Sequence, residues 1–369
     1  MGDVFVAGAG TTRFGASGAS LAALAHEAVR AALADAELPA ADVTGVFVGC
    51  RGTGSVPGAD ALTLRLGLRR VGLVPGGSDG HEHVSAAGVQ ALHRAWRAVE
   101  NGTCDVAVCV GAERLPAGTS GPPAADVQRR RSDAARRYMA ASGATVEQLA
   151  VAAAKNHANG AGNPALLGKL PVTPLGVLRS RVVAWPLTDL MVAPQGAGAA
   201  AVVLVGGAAR RHLGGRAPRV RASVLLSDAD GADGVDGAGA RAAGLAYHLA
   251  GIGPHEVDCA EVHDETAAAE LLAYEELQLV PSGAGPELVG TGFTALGGVL
   301  PVNASGGLLS LGELHGASAV AQVCELVMQL RGRSGPRQVA GARTGLAMSR
   351  APAPQPRGEA VGLTLLTCG

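Results

Sequence analysis

Aromatic residues are scarce in this chain: Phe, Trp and Tyr together make up 2% of it. Charge is thin as well, at 17% of residues with a formal net charge of -1, so there is no basic stripe with which to replace phosphate counterions. This excludes a general nucleic-acid binder. No run of about 18 uncharged apolar residues occurs, which excludes a membrane-spanning helix. The opening MGDVFVAGAG has neither the basic start nor the longer apolar stretch of a secretory signal, and predicts a cytoplasmic protein. The six cysteines (Cys50, Cys104, Cys109, Cys259, Cys324, Cys368) form no CxxC pair, and no histidines stand at zinc-finger spacing, so neither disulfides nor a structural zinc is expected. Lysine occurs only as Lys155 and Lys169; arginine supplies the other cations amid heavy alanine and glycine use, a genomic bias from which no function follows.

What is present is apolar and long. With 48% hydrophobic residues over 369 positions, the chain is neither a disordered polymer nor one small domain. Two or three folding units, or one duplicated fold, are expected. The apolar run Val4 to Ala9 ends in glycines, and Ser20 caps a helix whose apolar face holds Leu21, Leu24, Ala28, Ala32 and Leu33. Pro39 ends that helix and Val43 to Val48 makes a strand; a second helix from about Ala86 to Val99 leads into the apolar strand Val106 to Val110. Strands alternating with helices predict a parallel sheet.

The second half replays this order. Leu33 to Val48 (LADAELPAADVTGVFV) and Leu249 to Val262 (LAGIGPHEVDCAEV) each run helix end, proline, acidic residue with Val, strand. Gly88 to Val110 is echoed by Ala317 to Leu346, with GRSGP before a strand expected over Gln338 to Leu346. Two related α/β halves are the simplest reading. Between them, residues 115–195 break the pattern with PAGTSGPP, an arginine cluster (Arg129, Arg130, Arg131, Arg136, Arg137) and a helix from Thr145 to Asn156, which reads as an inserted loop domain. Those arginines read first as a solvated helical face and second as a phosphate contact.

In such folds ligands bind beyond the carboxyl ends of the strands, at helix N-termini. Three segments should converge there: His81-Glu82-His83-Val84-Ser85 before the second helix, Val262-His263-Asp264-Glu265, and Asn303-Ala304-Ser305-Gly306-Gly307 followed by Gly312-Glu313-Leu314-His315-Gly316. His81 and His83 suggest a metal only weakly, and no metal is expected. Tyr138, Tyr247 and Tyr274 are candidate phenol acids, with Tyr274 reading as packing.

At these segments the chain resembles the thiolase superfamily, specifically the sterol-carrier-protein-type thiolases and the actinobacterial lipid-transfer-protein homologues. The resemblance spans nearly the whole chain, through VAGAGTTRFG, ADVTGVFVG, CDVAVCVGAE, RRYMAASGATVEQLAVAAAKNHANGAGNP, VHD with ELLAYEELQL, and GGVLPVNASGGLLSLGELHGASAVAQVCELVMQLRG. It implies an α/β fold of two duplicated βαβαβ halves forming a five-layered α-β-α-β-α core with an inserted loop domain. The corresponding division is an N-terminal half over 1–114, a loop domain over 115–195, a last N-terminal strand and linker over 196–215, and a C-terminal half over 216–369.

Against the family pattern, the nucleophilic cysteine expected at the start of the buried helix is Ser85 here. The family's Gly-His-Pro reads Gly312-Glu313-Leu314, with His315 two residues beyond Glu313, and the second family cysteine has no counterpart in Leu346 to Glu359, which reads as an exposed proline-rich loop. His263 and Asp264 match the sterol-carrier His-Asp pair. The catalytic candidates are therefore Ser85, His263, His315 and Glu313, the last as a base if burial brings it near neutrality. Asp264, Asn303, Gly306, Gly307 and His83 are the substrate-binding candidates.

Three functions fit. Acyl transfer or condensation on an acyl-CoA or acyl-carrier-protein thioester, with Ser85 taking the acyl group and no further cofactor, ranks first. A retro-aldol carbon-carbon lyase needs a base and an enolate pocket but no nucleophile, and comes second. A catalytically silent scaffold is third. The resemblance further implies a homodimer and, for the lyase, a small OB-fold, zinc-ribbon partner.

Overall fold

The computed structural model describes residues 2–15, 17–51, 63–64, 67–73, 81–85, 87–114, 124–166, 170–207, 217–228, 237–352 and 359–369, with the backbone alone for 81–85, 352 and 359. Its first elements are strand β1 (Val4–Thr11), helix α1 (Leu21–Asp35), β2 (Gly45–Gly49), β3 (His81–Ser85), α2 (Gly88–Glu100) and β4 (Val106–Arg114). The intervening segment contributes α3 (Ala125–Ser142), α4 (Val146–Ala161), the short α5 (Pro174–Leu178) and a small hairpin of β5 (Val182–Ala184) and β6 (Leu187–Thr188). The remainder is β7 (Ala197–Gly206), β8 (Arg219–Asp228), α6 (Ala238–Ala250), β9 (Cys259–Glu261), α7 (Ala267–Glu276), α8 (Gly285–Gly290), α9 (Gly307–Leu311), α10 (Ser318–Leu330), β10 (Thr344–Pro352) and β11 (Glu359–Thr367).

The strands form one nine-stranded sheet in the order β3-β2-β4-β7-β1-β8-β11-β10-β9. The duplication is visible in that order: from the central β1/β8 pair outward, β7, β4 and β2 on one side answer β11, β10 and β9 on the other. The sheet is mixed rather than parallel. β2 runs parallel to β3 and β4, and β9 to β10, but every pairing of β1, β7, β8 and β11 is antiparallel. The helix-strand alternation found β2, β4, β9 and β10 correctly; β7, reached through α3, α4, α5 and the β5-β6 hairpin, pairs antiparallel with β4, and β11, the next strand after β10, pairs antiparallel with it.

Helices α2 and α10 pack on each other and on strands of both halves, forming the middle layer. Their buried side chains Leu92, Ala95, Val320 and Val323 share one core with Phe47, Val202, Ala347 and Leu366. Helix α1 covers the outer face of the first half through Leu24, Ala28 and Ala32 against Val48, Val110 and Val203. Helices α6 and α7 cover the second.

Local signals held at the caps and slipped at some ends. Ser20 caps α1 through a bond from the Ala23 N-H, and Thr145 with Gln148 forms a capping box on α4. The second helix begins at Gly88, so Ser85 ends a strand instead of starting the helix. The strand expected at Gln338 begins at Thr344, because Gly335–Arg337 forms a 3-10 turn first. The stretch expected as a proline-rich loop from Leu346 is strand β10 as far as Pro352, and 353–358 lie outside the described residues.

Candidate active site

Short β9 ends the sheet, and its free edge is closed by the chain before α9. Ala260 donates to the Pro301 carbonyl (3.1 Å) and accepts from the Asn303 N-H (2.8 Å). Asn303 adopts a left-handed φ of 55°, which asparagine tolerates better than most residues, and its Oδ1 accepts from the Val262 N-H at 2.8 Å. The β9 exit is thereby fixed where His263 and Asp264 leave the sheet.

Asp264 is wholly buried and accepts from the N-H groups of Leu308 (2.6 Å) and Leu309 (3.2 Å) and from Asn156 Nδ2 (2.7 Å). Its neighbour must be glycine: a Cβ on Gly307, at φ +60°, would stand 2.2 Å from Asp264 Oδ2. The same crowding holds at Gly306, where a Cβ would meet Gly160 Cα at 2.5 Å. Asp264, Asn303, Gly306 and Gly307 thus form a packed frame behind His263, with the two side chains engaged by protein groups.

In front of that frame stands a charged cluster. Glu313 Oε1 lies 3.5 Å from His263 Nε2 and 3.7 Å from His315 Nε2. Its other oxygen accepts from Arg131 Nη2, and Arg131 Nε donates to Glu265 Oε2 at 2.9 Å. The Arg131, His263 and Glu313 side chains are 3%, 3% and 7% exposed, so these contacts act in a poorly solvated site. Among the described residues, Nδ1 of His263, Nδ1 of His315 and Nη1 of Arg131 are buried without a partner.

The electrostatics correct one expectation. Burial alone would push the Glu313 carboxyl up, but its hydrogen bond with His263 and the Arg131 charge outweigh that and hold it well below the usual carboxylate range. Glu313 is therefore a fixed anion and not a base poised near neutrality. His315 is the converse: burial brings it down to about 4 against the attraction of Glu313, so it is neutral at pH 7. A neutral imidazole that turns its Nε2-H to Glu313 presents a lone pair at Nδ1.

The arginine cluster also needs correction. Arg130 and Arg136 pair with Asp126 and Asp133 on the exposed side of α3, as a solvated face would, but Arg131 turns inward to the carboxylates. His263, Glu265 and Glu313 offer ligand atoms within 4.8 Å of one another, a spacing that suits a cation. The Arg131 guanidinium already stands between the two carboxylates.

The Glu313–His315 segment is held by close backbone approach. The Glu313 N-H donates to Pro194 O (2.9 Å), and the Gly316 N-H donates to the buried Glu113 (2.8 Å). A Cβ on Gly316 would sit 2.4 Å from Ala112 O, and one on Gly88 would sit 2.2 Å from Gly316 O. In that contact the Gly88 N-H donates to His315 O at 2.8 Å. This carries His315 to the chain three residues past Ser85, whose strand position pairs with Gly49 at the carboxyl end of β2. The side chains of Ser85, His83 and His81 lie outside the described ones.

The tyrosines point elsewhere. Tyr138 donates to Glu275 (2.7 Å), Tyr247 to Leu277 O (2.7 Å), and Tyr274 is shared between Glu270 and Thr294. Sequence reasoning missed Arg131, Glu265 and Glu113. Glu265 directly follows His263 and Asp264, and Glu113 closes the apolar run CVGAE, so both had a positional signal; Arg131 was masked by four similar neighbours.

Residues 4–133 match the thiolase N-terminal domain and residues 226–354 the thiolase C-terminal domain-like family. Acetyl-CoA acetyltransferase of Methanothermobacter thermautotrophicus is 33% identical over 367 residues, covering 94% of this chain and 95% of that protein. The chain belongs to the thiolase superfamily. Within it, benzoylsuccinyl-CoA thiolase subunit BbsB of Thauera aromatica is 35% identical over 68% of this chain and 70% of its own. Human sterol carrier protein 2 is 30% identical over 93% of this chain and 69% of that one. Among solved structures, an Ltp2-ChsH2(DUF35) aldolase superposes over 100% of this chain and 98% of that chain with a TM-score of 0.82 at 24% identity. Human mitochondrial 3-ketoacyl-CoA thiolase in complex with CoA does so over 100% and 98% with a TM-score of 0.72 at 17% identity. The sequence resemblance to thiolases therefore holds. No helix among the described residues is long and apolar enough to cross a membrane.

Proposed function

We propose that this thiolase-superfamily enzyme acts on an acyl thioester, of CoA or of a carrier protein, through histidine bases oriented by Glu313. The observation that carries the reading is the shared carboxylate. Both histidines turn Nε2 toward Glu313 Oε1, and both keep Nδ1 unpartnered among the described residues. Arg131 keeps the carboxylate ionised, so each imidazole is held in the tautomer that makes Nδ1 the basic atom.

The first form of the reaction is acyl transfer through Ser85. His315 Nδ1 takes the hydroxyl proton, Ser85 Oγ bonds to the thioester carbonyl carbon, and the carbon-sulfur bond breaks. The departing thiolate takes that proton, and the acyl group passes to an acceptor that His263 deprotonates. The 33% identical acetyltransferase and the backbone contact between His315 and Gly88 support this form. Intact-protein mass spectrometry after incubation with short acyl-CoA thioesters tests it. An acyl adduct is expected on the wild type and absent in Ser85→Ala; wild type without an adduct removes this form.

A second form is favoured by the presence of two bases and by the likeness in fold to an aldolase. One imidazole removes the hydroxyl proton of a β-hydroxyacyl thioester, the Cα–Cβ bond breaks to release the carbonyl product and leave an enolate, and the imidazolium so formed returns that proton to the enolate carbon. It needs no nucleophile. Retained lysis in Ser85→Ala with loss in His263→Ala identifies it. The names of two similar proteins, one a subunit and one a two-component assembly, support a partner protein for this chain.

A further inference from the structure

Behind His263 lies a second buried polar network, outside the charged cluster. Its centre is Glu270 on α7, whose side chain is wholly enclosed. Oε1 takes Lys155 Nζ of α4 at 2.7 Å and the Tyr274 hydroxyl. Oε2 takes the side-chain amides of Asn156 and, at 3.3 Å, Asn303. Lys155 also donates to Val302 O at 2.6 Å, directly before Asn303. Every partner of this carboxylate is a donor, so it accepts throughout.

That requirement fixes two amides. Asn156 and Asn303 must each turn their NH2 group to Glu270. The oxygen of Asn303 is then left for the Val262 N-H at 2.8 Å, and the other amide hydrogen of Asn156 for Asp264 at 2.7 Å. Val262 and Asp264 are the chain neighbours of His263, so both flanks of the imidazole are set from one carboxylate. The orientation is imposed on Asn156: its Oδ1 is buried without a partner among the described residues, an unfavourable place for an amide oxygen. The two carboxylates that it joins hold it there.

We propose that Glu270, with Lys155 as its counterion, is a positioning residue for His263, acting through the Asn156 and Asn303 amides. The proposal rests on the reading of His263 as a base. Asp264 and Asn303 are the links nearest the imidazole, and Glu270 is where they meet.

The full chain with ring-labelled histidine, followed by proton–nitrogen correlation spectra, tests it; the His263 signal is the one missing from His263→Gln. Lys155→Met/Glu270→Met replaces the pair by apolar side chains of similar volume, which a fold commonly tolerates, and leaves both amides without their acceptor. The His263 signal is expected to change from one tautomer to a mixture, while those of the exposed His248 and His255 stay in place. With short acyl-CoA thioesters kcat is expected to fall at least about tenfold, with KM within about twofold. Lys155→Met/Glu270→Gln is the rescue: the glutamine oxygen can face both asparagines with its NH2 turned to Tyr274, so signal and rate return toward wild type. An unchanged His263 signal in the Met/Met variant, a shift shared by His248 and His255, or no rescue by glutamine overturns the positioning role. Absence of turnover in the wild type removes the thioester reading instead, and the ring signals alone then decide how His263 is held.

Discussion

Arg131 reaches from the inserted segment to Glu313, whose other oxygen lies 3.5 Å from His263 and 3.7 Å from His315, and helps fix the charge on which both depend. The pair is buried on both sides, and the same guanidinium holds Glu265. Replacing Arg131 with Gln would leave two carboxylates facing each other without a cation.

Breaking a buried pair from one side costs about 3 to 5 kcal/mol. Arg131→Gln is expected to lose that much at pH 7, read from urea unfolding. The sign with pH follows from the Glu313 carboxyl, which is held low in the folded protein. In the wild type its contribution is present above the ordinary carboxylate range and is lost as pH falls through its folded value. In the variant Glu313 is free to take a proton, so the deficit against wild type shrinks toward pH 4. A deficit that is the same at both pH values sinks the assignment of Glu313 as the fixed anion.

The activity profile should carry the His315 signature. With burial holding that imidazole at about 4, the acid limb of kcat/KM is expected below pH 5, under the ordinary imidazole value near 6.5. Glu313→Gln removes the attraction that favours the protonated ring, so the limb moves lower still, while the rate falls about 10²- to 10⁴-fold because the bases lose their orientation. A limb at or above pH 6.5 in the wild type would show that a different group titrates.

Gly316 tests the packing that delivers His315. Its Cβ would meet Ala112 O at 2.4 Å, whereas one on Gly244, inside α6, meets nothing within 4 Å. Gly316→Ala is expected to cost about 1 to 3 kcal/mol and to lower kcat, because the segment must withdraw from Glu113 and Gly88. Gly244→Ala should gain a few tenths to about 1 kcal/mol with unchanged kinetics. Equal effects at the two sites, in thermal melts and rates, would dismiss the close approach as a positioning device.

The duplicated order was legible because it is local: helix end, proline, strand recurs at Leu33 to Val48 and at Leu249 to Val262 and becomes α1-β2 and α6-β9. Convergence of the His263 and Glu313–His315 segments was legible too, since ligand sites in α/β folds collect at strand ends. Arg131 was not. Five arginines in nine positions look alike in sequence, and which one is turned inward depends on where α3 lies on the second half, a tertiary fact. The same holds for Glu313, whose charge state is set by His263 together with Arg131, a partner 182 residues away.

The cysteines give the last check. All six are buried and none is in a disulfide, and burial pushes the Cys109 and Cys259 thiols far up and the Cys324 thiol up to about 12. Thiolate is the reactive form, so native protein is expected to resist iodoacetamide, with no mass change and no loss of activity, and to take up six labels in urea. Cys50 is the thiol to watch: it follows Gly49, where a Cβ would press on Gly88 Cα at 2.5 Å, at the strand end beside the site. A single native adduct on Cys50 that abolishes turnover would replace Ser85 with a thiol nucleophile. Full activity after alkylation leaves the chemistry to Ser85 and the two histidines.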